Sequence, residues 1–457
     1  MALFAALSIA SQALLANKTA INTTNRNMSN AYTDGYSREV PVFTDVPGGG
    51  TSIETIKRVF SKMYFTRYVS QNQNYNSLSS YQDILEQIES VFNDMQGSGF
   101  SNELNKFFDV MNDIALNPAD LAPRAEFIST AQALVGRIRD SYSTLSEIKQ
   151  TAVNKIRDEI NALNDKLKAL AEVNKNLKLY ADSPDRLNQY LDKRDQLIKE
   201  ISDTLDVKVQ MNDNGTVNLF TAKGFALVLD DRANTIEFKT DENNNPQIYV
   251  SSTNITRDIE NGTIGGTLKG INAINEAIDK LNTFTTTFAN AINNQQEQGY
   301  DLYATPGSTT PNGEALFTTD NGSTTIDASN ITLNFTDPKK IAAASSSDNL
   351  NADNENIKAM ISLKDNTWAD LNNMSFSEYY NTEIVSALGS ELEYVKNRTE
   401  NSKFLLDSIE DKMKELSSVN MDEELINLTK YQRAYEAAAR VVTVTDELLQ
   451  TVLGMVG

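Results

Sequence analysis

The chain has 457 residues, 40% hydrophobic and 23% charged, globular proportions that leave room for about three units of about 150 residues each. Its 41 basic and 62 acidic residues give a net charge of -21, which repels a phosphate backbone and an anionic lipid surface; neither nucleic acid nor membrane is expected as a partner. Because histidine and cysteine are both absent, Ser-His-Asp and Cys-His catalysis, thiolate or imidazole metal sites, iron–sulfur clusters and disulfides are excluded. The expectation is a protein without cofactor or metal, and the enzyme chemistry left open by the composition is that of paired carboxylates, as in a glycosidase.

The apolar run from Leu3 to Ala10 has the length of a signal-peptide core, but the first basic residue is Lys18, so no cleaved leader is expected. Leu3, Leu7, Ala10, Leu14 and Ile21 instead follow one helical stripe. Asn30 to Tyr36 concentrates turn formers, with Gly35 the candidate for positive φ. Ile53 to Asp94 reads as helix, broken by Gly97 and Gly99, and Asn102 to Leu116 as a shorter amphipathic helix ending before Pro118. A longer run from about Pro123 to Tyr180 carries Phe127, Leu134, Ile138 and Leu145, then Ile156, Ile160, Leu163, Leu167 and Leu170; unbroken, it would reach roughly 80 Å at 1.5 Å per residue.

After Asp206 the pattern alternates. Val207, Val209 and Met211 lead to Asn214-Gly215, then Val217, Leu219 and the run Phe225 to Leu229, a hairpin signal in which a type I′ turn needs positive φ at both Asn and Gly. Ile236 to Phe238 and Ile248 to Val250, joined across Asp241 to Pro246, predict a second hairpin. Helical spacing returns from Leu268 to about Gln295. A stretch rich in Gly, Thr, Ser and Asn follows to about Asn356, with short strands expected at Thr324 to Ile326 and Ile331 to Phe335. Helices are expected from Ser377 to Leu388 and from Glu391 to Leu416, and Asn420 caps a last helix ending near Leu453. In it Leu428, Tyr435, Val442, Leu449 and Val456 recur every seven residues, with Tyr431, Ala438, Thr445 and Val452 three further on, an a/d seam.

Gly48-Gly49-Gly50 and Gly262 to Lys269 read as turns, since neither has the spacing of a phosphate-cradling loop. Acidic clusters at Asp230-Asp231, Asp241-Glu242 and Asp348 to Glu355 lack calcium-loop spacing and read as solvated charge.

The two ends together resemble a family. Residues 27 to 38, NMSNAYTDGYSR, following an apolar helix, are similar to the Asn-Asn-Ile-Ala-Asn…Thr-Pro-Gly-Tyr-Ser-Arg signature of flagellar rod, hook and hook-associated proteins; Arg26 and Asp34 depart from it. Ser418 to Val442 resembles the C-terminal signature of the hook-associated members, and Leu191 to Leu229 resembles their helix-to-β transition. The resemblance implies a mainly α fold with a β insert, an elongated multidomain chain. Terminal helices at 1–48 and 418–457 would form a coiled coil in an inner tube; 49–205, 266–299 and 357–417 would form a long-helix rod domain, 206–265 a small antiparallel β domain and 300–356 a loop-rich β extension.

The implied seam residues are Leu7, Leu14, Ile21, Leu428, Tyr431, Tyr435, Ala438, Val442, Leu449 and Val452, and the motif residues are Asn27, Asn30, Gly35, Tyr36, Asn420, Asp422, Glu423 and Glu424. The implied function is structural, joining hook to filament outside the cell after unfolded type III export without a cleaved signal. Implied partners are the hook protein, the second junction protein, copies of the chain in a helical ring, and an export chaperone on the C-terminal helix. Alternatives are another axial protein, or a surface binding or enzymatic module carried in the β insert.

Overall fold

The computed structural model describes residues 2–47, 49–92 and 99–456. Helix α1 (Ala2–Ser29) leads into a hairpin, β1 (Glu39–Asp45) with β2 (Thr51–Arg58). Helical rods follow: α2 (Lys62–Phe92), α3 (Phe100–Leu116), α4 (Leu121–Leu179) and α5 (Pro184–Thr204). The hairpin corrects the helical reading of Ile53 to Arg58. Ile53 pairs with Phe43 and Ile56 with Pro41 across the ladder, and an apolar residue every third position in so short a run does not separate strand from helix. The expected helix end at Asp94 and the breaker Gly97 lie outside the described residues, as does Gly48.

Helix α4 is unbroken for 59 residues, about 88 Å at 1.5 Å per residue. All nine stripe residues from Phe127 to Leu170 are buried along it. Two asparagines on α4 act as strand edges for the β insert. Asn174 donates to the carbonyls of Val217 (2.7 Å) and Asp230 (2.6 Å) and accepts from the Val217 amide (3.0 Å). Asn164 exchanges the same pair of bonds with Ile236 (2.9 and 2.8 Å). The insert is two antiparallel sheets, β3 (Val207–Met211), β4 (Val217–Thr221), β5 (Ala226–Leu229) and β6 (Arg232–Ala233), then β7 (Ile236–Thr240), β8 (Pro246–Val250) and β9 (Thr253–Asn254). The first hairpin is as expected, but its turn is not type I′. The Asn212 carbonyl accepts from the Gly215 amide (3.0 Å), and only Gly215 has positive φ (82°), a three-to-five-residue loop in which the left-handed residue closes a bulge.

Helix α6 (Gly262–Glu297) begins inside the segment expected to be a turn. Its glycines serve close packing: a Cβ on Gly266 would lie 2.1 Å from the Ser77 carbonyl oxygen, and one on Gly270 would lie 2.3 Å from Ile84 Cδ1. The 300–356 stretch holds β10 (Phe317–Thr319) and β11 (Ile331–Leu333), paired antiparallel; Thr324 to Ile326 is not strand. Phe317, Ala328, Ile331 and Ile341 are buried with the rod in one core. There Phe107 meets Phe127 (5.0 Å between centroids) and Phe288 (5.2 Å), and Phe288 meets Phe376 (5.4 Å). The buried Arg124 fastens this stretch to α4 by donating to the carbonyls of Pro118 (2.6 Å), Pro338 (3.2 Å) and Ile341 (2.6 Å). Burial pushes its guanidinium down to about 10.

After α7 (Glu355–Ser362), the expected pair of helices is one continuous rod: α8 (Phe376–Tyr379), a π segment (Tyr380–Ser386) and α9 (Ala387–Ser417). Gly389 is helical. The last helix, α10 (Met421–Val456), lies along α1. None of the described helices is long and apolar enough to cross a membrane.

Gly266→Ala should lower stability in urea by about 1–3 kcal/mol, because the added methyl meets backbone. Gly136→Ala, where a Cβ meets nothing within 4 Å inside α4, should raise it by about 0.5–1 kcal/mol. Equal effects would contradict the close-packing role of Gly266.

Candidate assembly site where the chain ends meet

The end of α1 folds into the expected tight turn. The Asn30 side chain donates to the Arg26 carbonyl (2.9 Å), the Thr33 amide donates to the Asn30 carbonyl (2.9 Å), and Gly35 takes φ of 78°. This turn aims Tyr36 back at Asn27, which is 1% exposed. The Asn27 carbonyl oxygen accepts from the Tyr36 hydroxyl (2.8 Å) and the Glu39 amide (2.9 Å), and its amide nitrogen donates to the Glu39 carbonyl (2.8 Å) and to Glu424 Oε2 (3.1 Å). One side chain thus uses both donors and both acceptor positions.

From the other end of the chain, Asn420 caps α10 by accepting from the amides of Asp422 (3.0 Å) and Glu423 (3.3 Å). Three acidic residues, Asp422, Glu423 and Glu424, occupy the first turn, where the positive end of the helix dipole favours them. Glu424 is buried and receives Arg38 Nε (2.8 Å), while Arg38 also reaches the exposed Glu423 (2.9 Å). The backbone agrees: the Arg38 amide donates to the Ser417 carbonyl (2.9 Å) and the Val59 amide to that of Arg38 (2.8 Å).

A second tier ties the joint to α5. Buried Glu39 pairs with Arg26 (2.8 Å) and accepts from Asn188 (3.0 Å), and Arg26 also pairs with Asp185 (2.6 Å). Arg58 bridges Asp192 (2.7 Å) and Asp195 (2.6 Å), and Asp195 also holds Arg194 (2.6 Å). Burial raises the Glu39 carboxyl above its ordinary value against the opposing charge of Arg26. It raises Asp192 likewise, against Arg58. Burial also pulls the Arg58 guanidinium down, but Asp195 and Asp192 together outweigh it and leave it raised. The site has the chemistry of a structural fastener: each buried charge faces a counter-charge, and no group of three or more acidic residues among the described residues is arranged to hold a metal ion.

Residues 85–310 match the model of the flagellar hook-associated protein FlgK helical domain, and residues 411–455 match that of the flagellar basal body rod FlgEFG protein C-terminal region. Flagellar hook-associated protein 1 of Bacillus subtilis is 25% identical, over 99% of this chain and 98% of its own. The proteins of that name from Escherichia coli and Salmonella typhimurium are 21% and 23% identical, each over 97% of this chain and 98% of their own. The chain belongs to the FlgK family of flagellar hook-associated proteins. The solved flagellar hook junction protein FlgK from Burkholderia pseudomallei shares the fold, with a TM-score of 0.65 at 14% identity over 76% of this chain and 99% of that one.

The residues singled out by their resemblance to this family occupy three settings. Asn27, Asn30, Gly35, Tyr36, Asn420, Glu423 and Glu424 come together at the joint, whereas Asp422 stays exposed beside it. Leu7, Leu14, Ile21, Leu428, Tyr431, Val442 and Leu449 are half-buried, and Ala438 and Thr445 buried. Tyr435 and Val452 face solvent at 37% and 47% exposure. The tightest part of α1 is made of small residues, Ala10, Ala16, Ala20, Thr23 and Thr24, because the hairpin covers it as well as α10. Tyr431 reaches the hairpin at Phe43 (5.9 Å between rings).

Sequence reasoning missed Glu39, Arg58, Asp185, Asn188 and Asp192 as members of the joint. The contacts of Asp185, Asn188 and Asp192 on α5 with Arg26, Ser37, Glu39, Ile56 and Arg58 span 132 to 159 residues of chain (159 being 185 minus 26), and no local spacing encodes that. The departure at Arg26 is used, since its guanidinium neutralises Glu39.

A carboxyl whose folded pKa exceeds its unfolded one costs stability as pH rises through that window, and the cost is complete above it. Removing Arg26 takes away the largest force holding Glu39 down, so Arg26→Met should lose about 1–3 kcal/mol at pH about 7 and less at pH about 5, by urea unfolding. An equal loss at both pH values would contradict the pairing.

Proposed function

We propose that this chain is a structural subunit, not an enzyme, that joins the hook to the filament of the bacterial flagellum. The observation that carries the reading is end-to-end similarity to proteins named flagellar hook-associated protein 1, covering 97–99% of this chain and 98% of each relative. Its partners would be the hook protein on one side, the second junction protein on the other and copies of itself in a helical ring, a heterologous contact that repeats without closing a dimer. In this reading α1 and α10 line the inner tube, and the hairpin β1–β2 moves with them, since it packs on α1 and Tyr431. The α2–α9 helices form the rod, the β3–β9 sheets lie on the outer surface, and the 300–356 stretch is part of the rod through their shared core.

Val441, Val444 and Leu448 support assembly through α10: each is about half exposed, at 47%, 53% and 48%, and they lie at spacings of three and four residues along one face. Such a stripe is costly to leave in water and suits burial by neighbours. Export unfolded through the type III channel, with no cleaved signal and a chaperone on α10, is compatible with a chain that has no disulfide to reduce.

Deleting the gene in its host should leave cells with hooks but no filaments under the electron microscope, with flagellin lost to the medium. Filaments of normal appearance and number would contradict the junction role.

A further inference from the structure

The rod holds a cavity that the joint does not use. Its floor is Leu85, Ile88 and Phe92 of α2 with Ile384 of the π segment, all buried. Ala273 and Ala277 of α6 line it with small side chains, and the space measures about 390 Å³, within the size range of binding pockets.

Three carboxylates, Glu276, Glu383 and Glu391, surround this apolar floor, and Lys280 is the one cation among the lining residues. Lys280 is already engaged: its ammonium pairs with Glu276 (2.9 Å) and donates to the Glu383 backbone carbonyl (3.0 Å). Glu391 accepts from the Tyr81 hydroxyl (3.2 Å), and neither that bond nor any other among the described lining residues brings a second positive charge. The wall carrying Glu383 is a π segment, in which the Ala387 amide bonds back to the Thr382 carbonyl. Such wide turns recur where a helix is shaped for binding. Here the Lys280 bond ties the widened turn to α6.

We propose that this cavity receives an arginine or lysine side chain of a neighbouring flagellar subunit, its alkyl stem on the apolar floor and its charge among the three carboxylates. The chemistry fits one occupant class: an apolar stem ending in a cation buries its methylenes and keeps its charge at the rim, whereas a purely apolar group would desolvate the carboxylates and an anion would be repelled. The proposal rests on the junction reading, because it needs neighbours.

The cysteine-free chain allows a direct test. Ala277→Cys places one thiol in the cavity; Thr324→Cys, on an exposed loop, is the control. Maleimide labelling of the cavity thiol should be about tenfold slower in purified flagella than in the free subunit, with the control unchanged. Adding Glu276→Gln, Glu383→Gln and Glu391→Gln together should restore most of the labelling rate. Equal labelling in both states would overturn the proposal, as would protection already present in the free subunit, which means the chain fills its own cavity. Protection undiminished in the glutamine variant would overturn the cationic occupant. A blot finding no subunit in purified flagella would overturn the junction reading, and this proposal with it.

Discussion

Asn27 is the residue on which the joint depends. A buried amide side chain is tolerable only when its donors and acceptors are all met, and this one meets them with a backbone strand, a tyrosine and a glutamate 397 residues away. Glu424 is buried at the start of α10 because Arg38 and Asn27 neutralise and bind it, and Arg38 is in place because β1 starts where the Gly35 turn sends it. Losing any one member leaves the others desolvated without partners, which makes the network cooperative. The consequence is that the two terminal helices and α5 meet at one fixed point.

The helices beyond this point are held by contacts as specific. Helix α4 runs its length with an unbroken apolar stripe, and α6 lies close to α2 because Gly266 and Gly270 remove the side chains that would hold it away. The β insert is fixed to α4 by Asn164 and Asn174, which replace missing strand neighbours. Arg124 binds the 300–356 stretch through the carbonyls of Pro338 and Ile341 and the segment before α4 through that of Pro118. Each device satisfies backbone polar groups that burial would otherwise leave unpaired.

Periodicity made the long helices legible, and alternation around Asn214-Gly215 did the same for the first hairpin. The Asn420 cap and the turn at Gly35 were legible because single residues of special chemistry define them. What was not legible depended on contacts distant in sequence. Ile53 to Arg58 is strand because β1 pairs with it, and Gly262 to Lys269 is helix because α2 needs the close approach. Gly389 stays helical because it lies within a rod packed against α2. Tyr435 and Val452 carry the heptad spacing but face water, because the hairpin and α1 together turn α10 so that Tyr431, Ala438, Val442 and Thr445 point inward. Arg26 looked like a departure from a motif, and its role appears only once Glu39 is seen to be buried beside it.

A double-mutant cycle measures the coupling of the two terminal helices through Asn27 and Glu424. Asn27→Ala, Glu424→Ala and the double variant would be compared through native-state hydrogen exchange of the α1 and α10 amides. The expected coupling energy is about 1–3 kcal/mol, the double variant losing less protection than the sum of the two single losses. Additive losses, within about 0.5 kcal/mol, would contradict it and would leave the terminal helices held by apolar contact alone.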